Sequence, residues 1–255
     1  MFLFYTAIGL FIIWYAFLFF PTQWVKTEHI NHDLGLKKKI LHLSDIHTQH
    51  MNVPFFIIEK CIQKEKPDYI FITGDFIERH VGEFSKLQKL LWLIRESGVP
   101  AYAVLGNHDR YLRNVSVLVS FLERYNITVL QNEFVETDDF ILIGIDDFST
   151  NHHDIDSSFS FPETDKKKIV ITHDPTIVDY MEQSFDYLLA GHLHGKQINI
   201  PNLYKYKPMG PLAARGIYQG FHEMKNGPIY ISKGLGQSRY NIRFRVRSEM
   251  TIHHI

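Results

Sequence analysis

Five apolar segments of this chain each run straight into a cluster of polar residues, and that repetition constrains the fold more than any other feature. Ile40–Leu43 is followed by Asp45 and His47, Tyr69–Ile72 by Gly74 and Asp75, and Ala101–Leu105 by Gly106, Asn107, His108 and Asp109. Ile169–Thr172 leads to His173, and Tyr187–Ala190 leads to Gly191, His192 and His194. Short uncharged runs of this kind read as strands buried on both faces. Ligands in open α/β sheets collect beyond the carboxyl ends of strands, so the five ends are predicted to converge on one crevice.

Between these strands the apolar residues recur with helical spacing. The pattern covers about residues 54–64, then Leu87, Leu90, Leu91 and Ile94, then about residues 112–124. The second half is denser in strands, with further candidates at 128–130, 140–144, 198–200 and 229–232, and a last one at about 244–253. Early βαβ alternation followed by strand-dense sequence predicts an α/β chain, a two-sheet mixed β-sandwich with helices outside. Cys61 is the single cysteine, so no intramolecular disulfide can form, and its spacing puts it on the buried face of the first helix.

The N-terminus poses a separate requirement. Phe2 to Phe20 is apolar apart from Thr6 and Gly9 and carries no charge. As a helix it would be about 30 Å long, the thickness of a bilayer's hydrocarbon core, and Pro21 stops it. A cleaved signal would need a basic start and small residues at a cleavage site, and a buried globular helix would need a polar stripe; none of these is there. Residues 1–25 are therefore predicted to be an N-terminal transmembrane helix, 26–38 a polar linker, and 39–255 the domain that carries the polar clusters. Lys26 and Lys37 to Lys39 follow the apolar run and nothing basic precedes it. The positive-inside bias then places a single-pass cell-membrane protein with its larger part in the cytoplasm.

A formal net charge of -1 supplies no field for a phosphate backbone, and nucleic acid is not expected as a partner. The unusual number is 15 histidines. His29, His32, His152, His153, His253 and His254 read as surface residues, while those at the strand ends carry chemistry. Mixed carboxylate, imidazole and amide donors suit Mn²⁺, Fe²⁺ or Zn²⁺ rather than Ca²⁺. Two such ions about 3.5–4 Å apart need one carboxylate between them.

Taken together, Asp45-x-His47, Gly74-Asp75, Gly106-Asn107-His108-Asp109, His173 and Gly191-His192-x-His194 resemble the calcineurin-like metallophosphoesterase family, from about residue 39 to the end. Gly195-Lys196-Gln197-Ile198 and Lys233-Gly234-Leu235-Gly236 are similar to its membrane-associated bacterial branch, which includes cell-wall-associated and UDP-2,3-diacylglucosamine-hydrolysing members. The resemblance implies a catalytic domain over 39–255 with two divalent metal ions, Mn²⁺ first and Fe²⁺ or Zn²⁺ as alternatives. It implies that Asp45, His47 and His194 hold one ion, that Asn107, His173 and His192 hold the other, and that Asp75 bridges them. A water shared by the two ions is then the nucleophile. His108 is no ligand in this pattern; it stands where it can protonate the leaving oxygen or hold phosphoryl charge. Asp109 is either its orienting partner or a turn residue.

The expected reaction is hydrolysis of a phosphodiester or pyrophosphate bond, and the membrane anchor favours a membrane-lipid or envelope-precursor substrate. The alternatives are a phosphomonoesterase or protein phosphatase, and a non-catalytic scaffold on the same fold. A scaffold would lack ligand residues, and none is missing. Arg243, Arg245 and Arg247 alternate with Phe244 and Val246, which reads as a charged edge strand in preference to a phosphate contact. Arg79 reads as a salt-bridged surface residue, and Lys37 to Lys39 as lying along the membrane surface.

Overall fold

The computed structural model describes residues 1–78, 84–200 and 209–255. Two six-stranded mixed sheets face each other. The first contains β1 (Lys26–Asn31), β2 (Lys39–Leu43), β3 (Tyr69–Thr73), β4 (Ala101–Val104), β5 (Ile127–Val129) and β12 (Glu249–His254), in the order β1-β12-β2-β3-β4-β5. The second contains β6 (Glu133–Glu136), β7 (Phe140–Ile145), β8 (Lys167–Thr172), β9 (Tyr187–Ala190), β10 (Gly220–Met224) and β11 (Gly227–Ile231), in the order β10-β11-β9-β8-β7-β6. Strands β2 to β5 run parallel, and so do β7, β8, β9 and β11. This is the expected two-sheet sandwich.

Alternation along the strands sorts their side chains into layers. Leu41, Leu43, Ile70 and Ile72 pack outward with Ile58, Leu87, Leu91 and Leu118 of helices Phe55–Glu65, Ser85–Glu96 and Val115–Glu123. Ile40, Tyr69 and Phe71 turn the other way and meet Phe140, Leu142, Ile169 and Leu189 between the sheets. The far face of the second sheet is covered by Ile177 and Leu212, from the short helices Pro175–Asp179 and Pro211–Ala214. Strands β3, β7 and β9 are buried at every position, which explains their continuous apolar runs.

Four expectations need correction. Lys26–Asn31, expected as linker, is an edge strand paired in parallel with β12. The last strand begins at Glu249 and not near Phe244, so the alternating arginines lie on a loop. Ile198 makes a single bridge to Phe244 in place of a strand over 198–200. His253, expected at the surface, is fully buried on the inner face of β12 beside Tyr187 and Tyr230. Arg79 lies outside the described residues.

Helix Phe2–Gln23 is long and apolar enough to cross a membrane, and its most apolar stretch is not buried against the body. Its last turns are docked. The Arg243 backbone N–H donates to the Leu18 carbonyl at 2.8 Å, and Ser248 Oγ donates to the Thr22 carbonyl at 3.1 Å.

Candidate metal centre

The strands deliver their polar ends to one place. β2 runs into Asp45 and His47, β3 into Asp75, β4 into Asn107 and His108, β8 into His173, and β9 into His192 and His194. The chain must turn sharply there, and Asp45, His47, Asp75, His192 and His194 all take left-handed φ between 38° and 72°. Non-glycine residues adopt that region at a cost, and a cluster of them marks a functional site. Two glycines make the close approach possible. A Cβ on Gly106 would lie 2.2 Å from Asp75 Oδ1, and one on Gly191 would lie 2.4 Å from Asp45 Oδ2.

Asp45, His47, Asp75 and His194 present ligand atoms all within 4.8 Å of one another, and all four side chains are buried. His194 Nε2 is 3.2 Å from Asp45 Oδ1, and His47 Nε2 is 3.2 Å from Asp75 Oδ2. A second group adjoins it. Asn107 Oδ1 lies 3.2 Å from His173 Nε2 and 3.1 Å from His192 Nδ1, and the two ring nitrogens are 3.1 Å apart. The same Asp75 Oδ2 that faces His47 lies 3.3 Å from His173 Nε2. One carboxylate oxygen therefore stands between the two groups.

The surroundings fix these side chains. His173 Nδ1 donates to the Thr73 carbonyl at 2.7 Å, which fixes the ring with Nε2 aimed at Asn107. Asp45 accepts from Ser44 Oγ at 2.7 Å and from the His192 backbone N–H at 3.1 Å. Asp75 Oδ1 accepts from the His108 backbone N–H at 2.9 Å. Burial alone would raise the Asp75 pKa, but the His173 and His47 rings beside it hold the carboxyl well below its usual range. His47 is pushed up to about 10 against burial, by Asp75 and Glu78. His194 is pushed down to about 3 by burial, which outweighs Asp45. Among the described residues, Nδ1 of His194 has no hydrogen-bond partner, and the two ring nitrogens of His47 face only the Asp75 and Glu78 carboxylates, outside hydrogen-bond geometry. Buried polar atoms left in that state, within a carboxylate, imidazole and amide donor set, fit a site for divalent cations.

A calcineurin-like phosphoesterase profile matches residues 38–196, a span that takes in every one of these side chains. The chain belongs to the calcineurin-like phosphoesterase family. It is a metallophosphoesterase, a hydrolase of phosphoester bonds from a family that depends on a pair of metal ions. It is 38% identical over 248 residues to the metallophosphoesterase YkoQ of Bacillus subtilis (strain 168), covering 91% of this chain and 90% of that one. It is 25% identical to the UDP-2,3-diacylglucosamine pyrophosphatase LpxG of Chlamydia muridarum, covering 90% and 86%. One solved crystal structure overlays with a TM-score of 0.50 at 14% identity, over 76% of this chain and 89% of the other, a likeness of fold alone.

Three residues do something that sequence reasoning did not foresee. Glu78 reaches both His108 and His47, with Oε1 2.9 Å from His108 Nδ1 and Oε2 3.1 Å from His47 Nδ1. Its one signal in the sequence is an acid three residues past Asp75, too common to single out. Asp109 does not orient His108. It is buried and accepts from the backbone N–H groups of Phe76 at 3.0 Å and Gly106 at 3.0 Å, tying the two turns that carry Asp75 and Asn107. Burial and the neighbouring Asp75 charge push its pKa up to about 7. Arg243 is fully buried and donates to the carbonyls of Lys233, Gly234 and Gly236 at 2.8, 3.0 and 2.7 Å. It holds the loop whose Gly236 N–H donates to the Asp45 carbonyl at 2.7 Å.

Proposed function

We propose that the protein hydrolyses a phosphodiester or pyrophosphate bond in a membrane-lipid or envelope-precursor substrate. Asp45, His47 and His194 would hold one ion, Asn107, His173 and His192 the other, and Asp75 both. The single observation that carries the two-ion reading is Asp75 Oδ2, shared between His47 Nε2 at 3.2 Å and His173 Nε2 at 3.3 Å. When bound, two divalent ions (Mn²⁺, or else Fe²⁺ or Zn²⁺) supply Lewis acidity to the phosphoryl group.

His108 does the proton chemistry. It is half-buried beside the two ligand groups, its backbone is held to Asp75, and Glu78 Oε1 lies 2.9 Å from its Nδ1. That leaves Nε2 to protonate the leaving oxygen. Helix Phe2–Gln23, with Lys26 and Lys37 to Lys39 beyond it, supports a single-pass membrane protein with residues 39–255 on the cytoplasmic side. The acyl-bearing pyrophosphate named for the Chlamydia relative supports a lipid-linked substrate.

Elemental analysis of the gently purified protein, with assays on bis(p-nitrophenyl) phosphate and p-nitrophenyl phosphate in added Mn²⁺, tests the reading. Two ions per chain and faster turnover of the diester are expected. Near-zero metal with no gain from Mn²⁺ would overturn it, and faster turnover of the monoester would restrict the protein to phosphomonoesters.

A further inference from the structure

Where the apolar helix joins the body, a cavity of about 530 Å³ opens between them. One wall is the end of the helix, with Phe17, Phe20 and Trp24 exposed by 59%, 40% and 52%. The facing wall is the loop from Phe244 to Arg247, and Lys26, Glu28 and Lys233 complete the lining. An apolar surface continuous with a bilayer-length helix thus meets a cluster of cations.

Those cations are not equivalent. Lys26 pairs with Glu28 at 2.7 Å, and Lys233 pairs with Glu28 at 3.1 Å and also with Glu249. Two lysines against two carboxylates are neutral. Arg245 and Arg247 have no ion pair among the described residues; Arg247 lies over the Trp24 ring, 4.0 Å from its centroid, and Arg245 projects into solvent. Arg245 also sits at φ 57°, a backbone conformation that costs a non-glycine residue energy. The cavity therefore keeps two uncompensated guanidinium groups at its rim and hydrocarbon along its wall. A soluble anion would leave the apolar wall unfilled, and an uncharged lipid would leave the guanidinium groups unpaired.

The cavity also abuts the metal centre. A Cβ on Gly195, the residue after His194, would lie 2.9 Å from both Lys233 Cγ and Val246 Cγ2, and both residues line the cavity.

We propose that this cavity binds an acylated phosphate of net negative charge, with Arg245 and Arg247 pairing the phosphate and Phe17 and Phe20 lying along the first part of the chain. The inference rests on the reading that the helix lies in a membrane. A bilayer phospholipid and a lipid-linked substrate share this chemistry.

The test uses the full-length protein in nanodiscs of phosphatidylcholine with increasing phosphatidylglycerol, with the retained lipid identified by native mass spectrometry. Wild type should retain phosphatidylglycerol in preference. Arg245→Asn with Arg247→Gln should lower that preference about tenfold or more, the loss expected for charge-assisted phosphate pairs. Arg245 is exposed and asparagine accepts the left-handed backbone, so Arg245→Asn alone keeps the fold and should show part of the loss. An acyl-chain methylenebisphosphonate that displaces the retained lipid assigns the cavity to substrate, and one that binds without displacing it assigns the cavity to bilayer lipid. Equal retention of the two lipids by wild type, or an undiminished preference in the variants, overturns the proposal. Binding is read without turnover, so a failure of the hydrolase reading would leave this result standing. Wild type that stays outside nanodiscs of either composition overturns the membrane reading and this inference together.

Discussion

The carboxylate of Glu78 holds the imidazole of His108, with Oε1 2.9 Å from Nδ1. Burial favours the protonated acid, yet the His108 and His47 rings keep the Glu78 carboxyl well below its usual range, so it faces both rings as an anion. A ring anchored in this way presents its other nitrogen in one orientation. Glu78→Gln is expected to lower kcat on a soluble diester by about 10–100-fold, with KM and metal content little changed. Steady-state kinetics beside elemental analysis checks it. A loss of metal equal to the loss of kcat would make Glu78 a support of the His47 site instead.

The roles of Asp75 and His108 separate in the same pair of measurements. Asp75→Asn removes the charge that faces both ligand groups and is expected to abolish metal occupancy and turnover together. His108→Ala should keep its metals while kcat falls on the order of 10²–10⁴-fold. Metal loss in His108→Ala would contradict the proton-donor role.

The strands that carry the centre were legible because they are buried on both faces and therefore uninterrupted by charge, as β3 and β9 show. The strands that were missed, β1, β6 and β10, are all edge strands of the two sheets. An edge strand needs only one buried face, so Lys26–Asn31 and Gly220–Met224 mix charge into their alternation and read as loops. Arg243 misled for a different reason. Its partners are backbone carbonyls of the loop that follows Gly227–Ile231, seven to ten residues earlier in the chain, and composition gives no hint that a cation is buried there. The pairing of Glu78 with His108 depends on how two turns fold toward each other, which no spacing encodes.

Two histidines between the sheets should make the fold sensitive to mild acid. His42 is pushed down to about 3 by burial, with Asp45 opposing, and burial with His42 nearby pushes His253 well below its ordinary value. Their rings are 5.6 Å apart, and His253 Nδ1 is 2.9 Å from the Tyr187 hydroxyl. Below the ordinary histidine value of 6.5 the unfolded chain takes up protons that these folded rings refuse, so stability falls as pH falls. Each group contributes about 1.4 kcal/mol per pH unit over that window. His253→Gln keeps a partner for Tyr187 and cannot titrate. Its unfolding free energy in urea, followed from about pH 6 to 5 before most carboxylates titrate, should fall less steeply than wild type by about that amount. Parallel slopes would mean that His253 already carries a proton when folded.

The docking of the helix end decides how the anchor can be removed. Thr22 is fully buried; its Oγ1 accepts from Asn52 Nδ2 at 2.7 Å and its carbonyl from Ser248 Oγ at 3.1 Å. The Leu18 carbonyl takes the Arg243 N–H at 2.8 Å, on the residue that holds the loop around Asp45. Residues before Tyr15 have no such ties to the other described residues, and those of helix Phe2–Trp14 are not buried. Deleting residues 1–14 should therefore abolish flotation with vesicles while leaving melting temperature and soluble-diester turnover close to wild type. Deleting residues 1–25 strips four hydrogen bonds from Asn52, Arg243 and Ser248, the last of these residues losing its backbone bond to the Pro21 carbonyl as well. At about 1 kcal/mol each and about 2–4 °C per kcal/mol for a domain of this size, the melting temperature should fall by about 8–16 °C. Turnover should fall with it, because the loop around Asp45 loses its brace. Calorimetry of the two truncations decides the matter, and equal melting temperatures would show that the helix end only leans on the domain without supporting it.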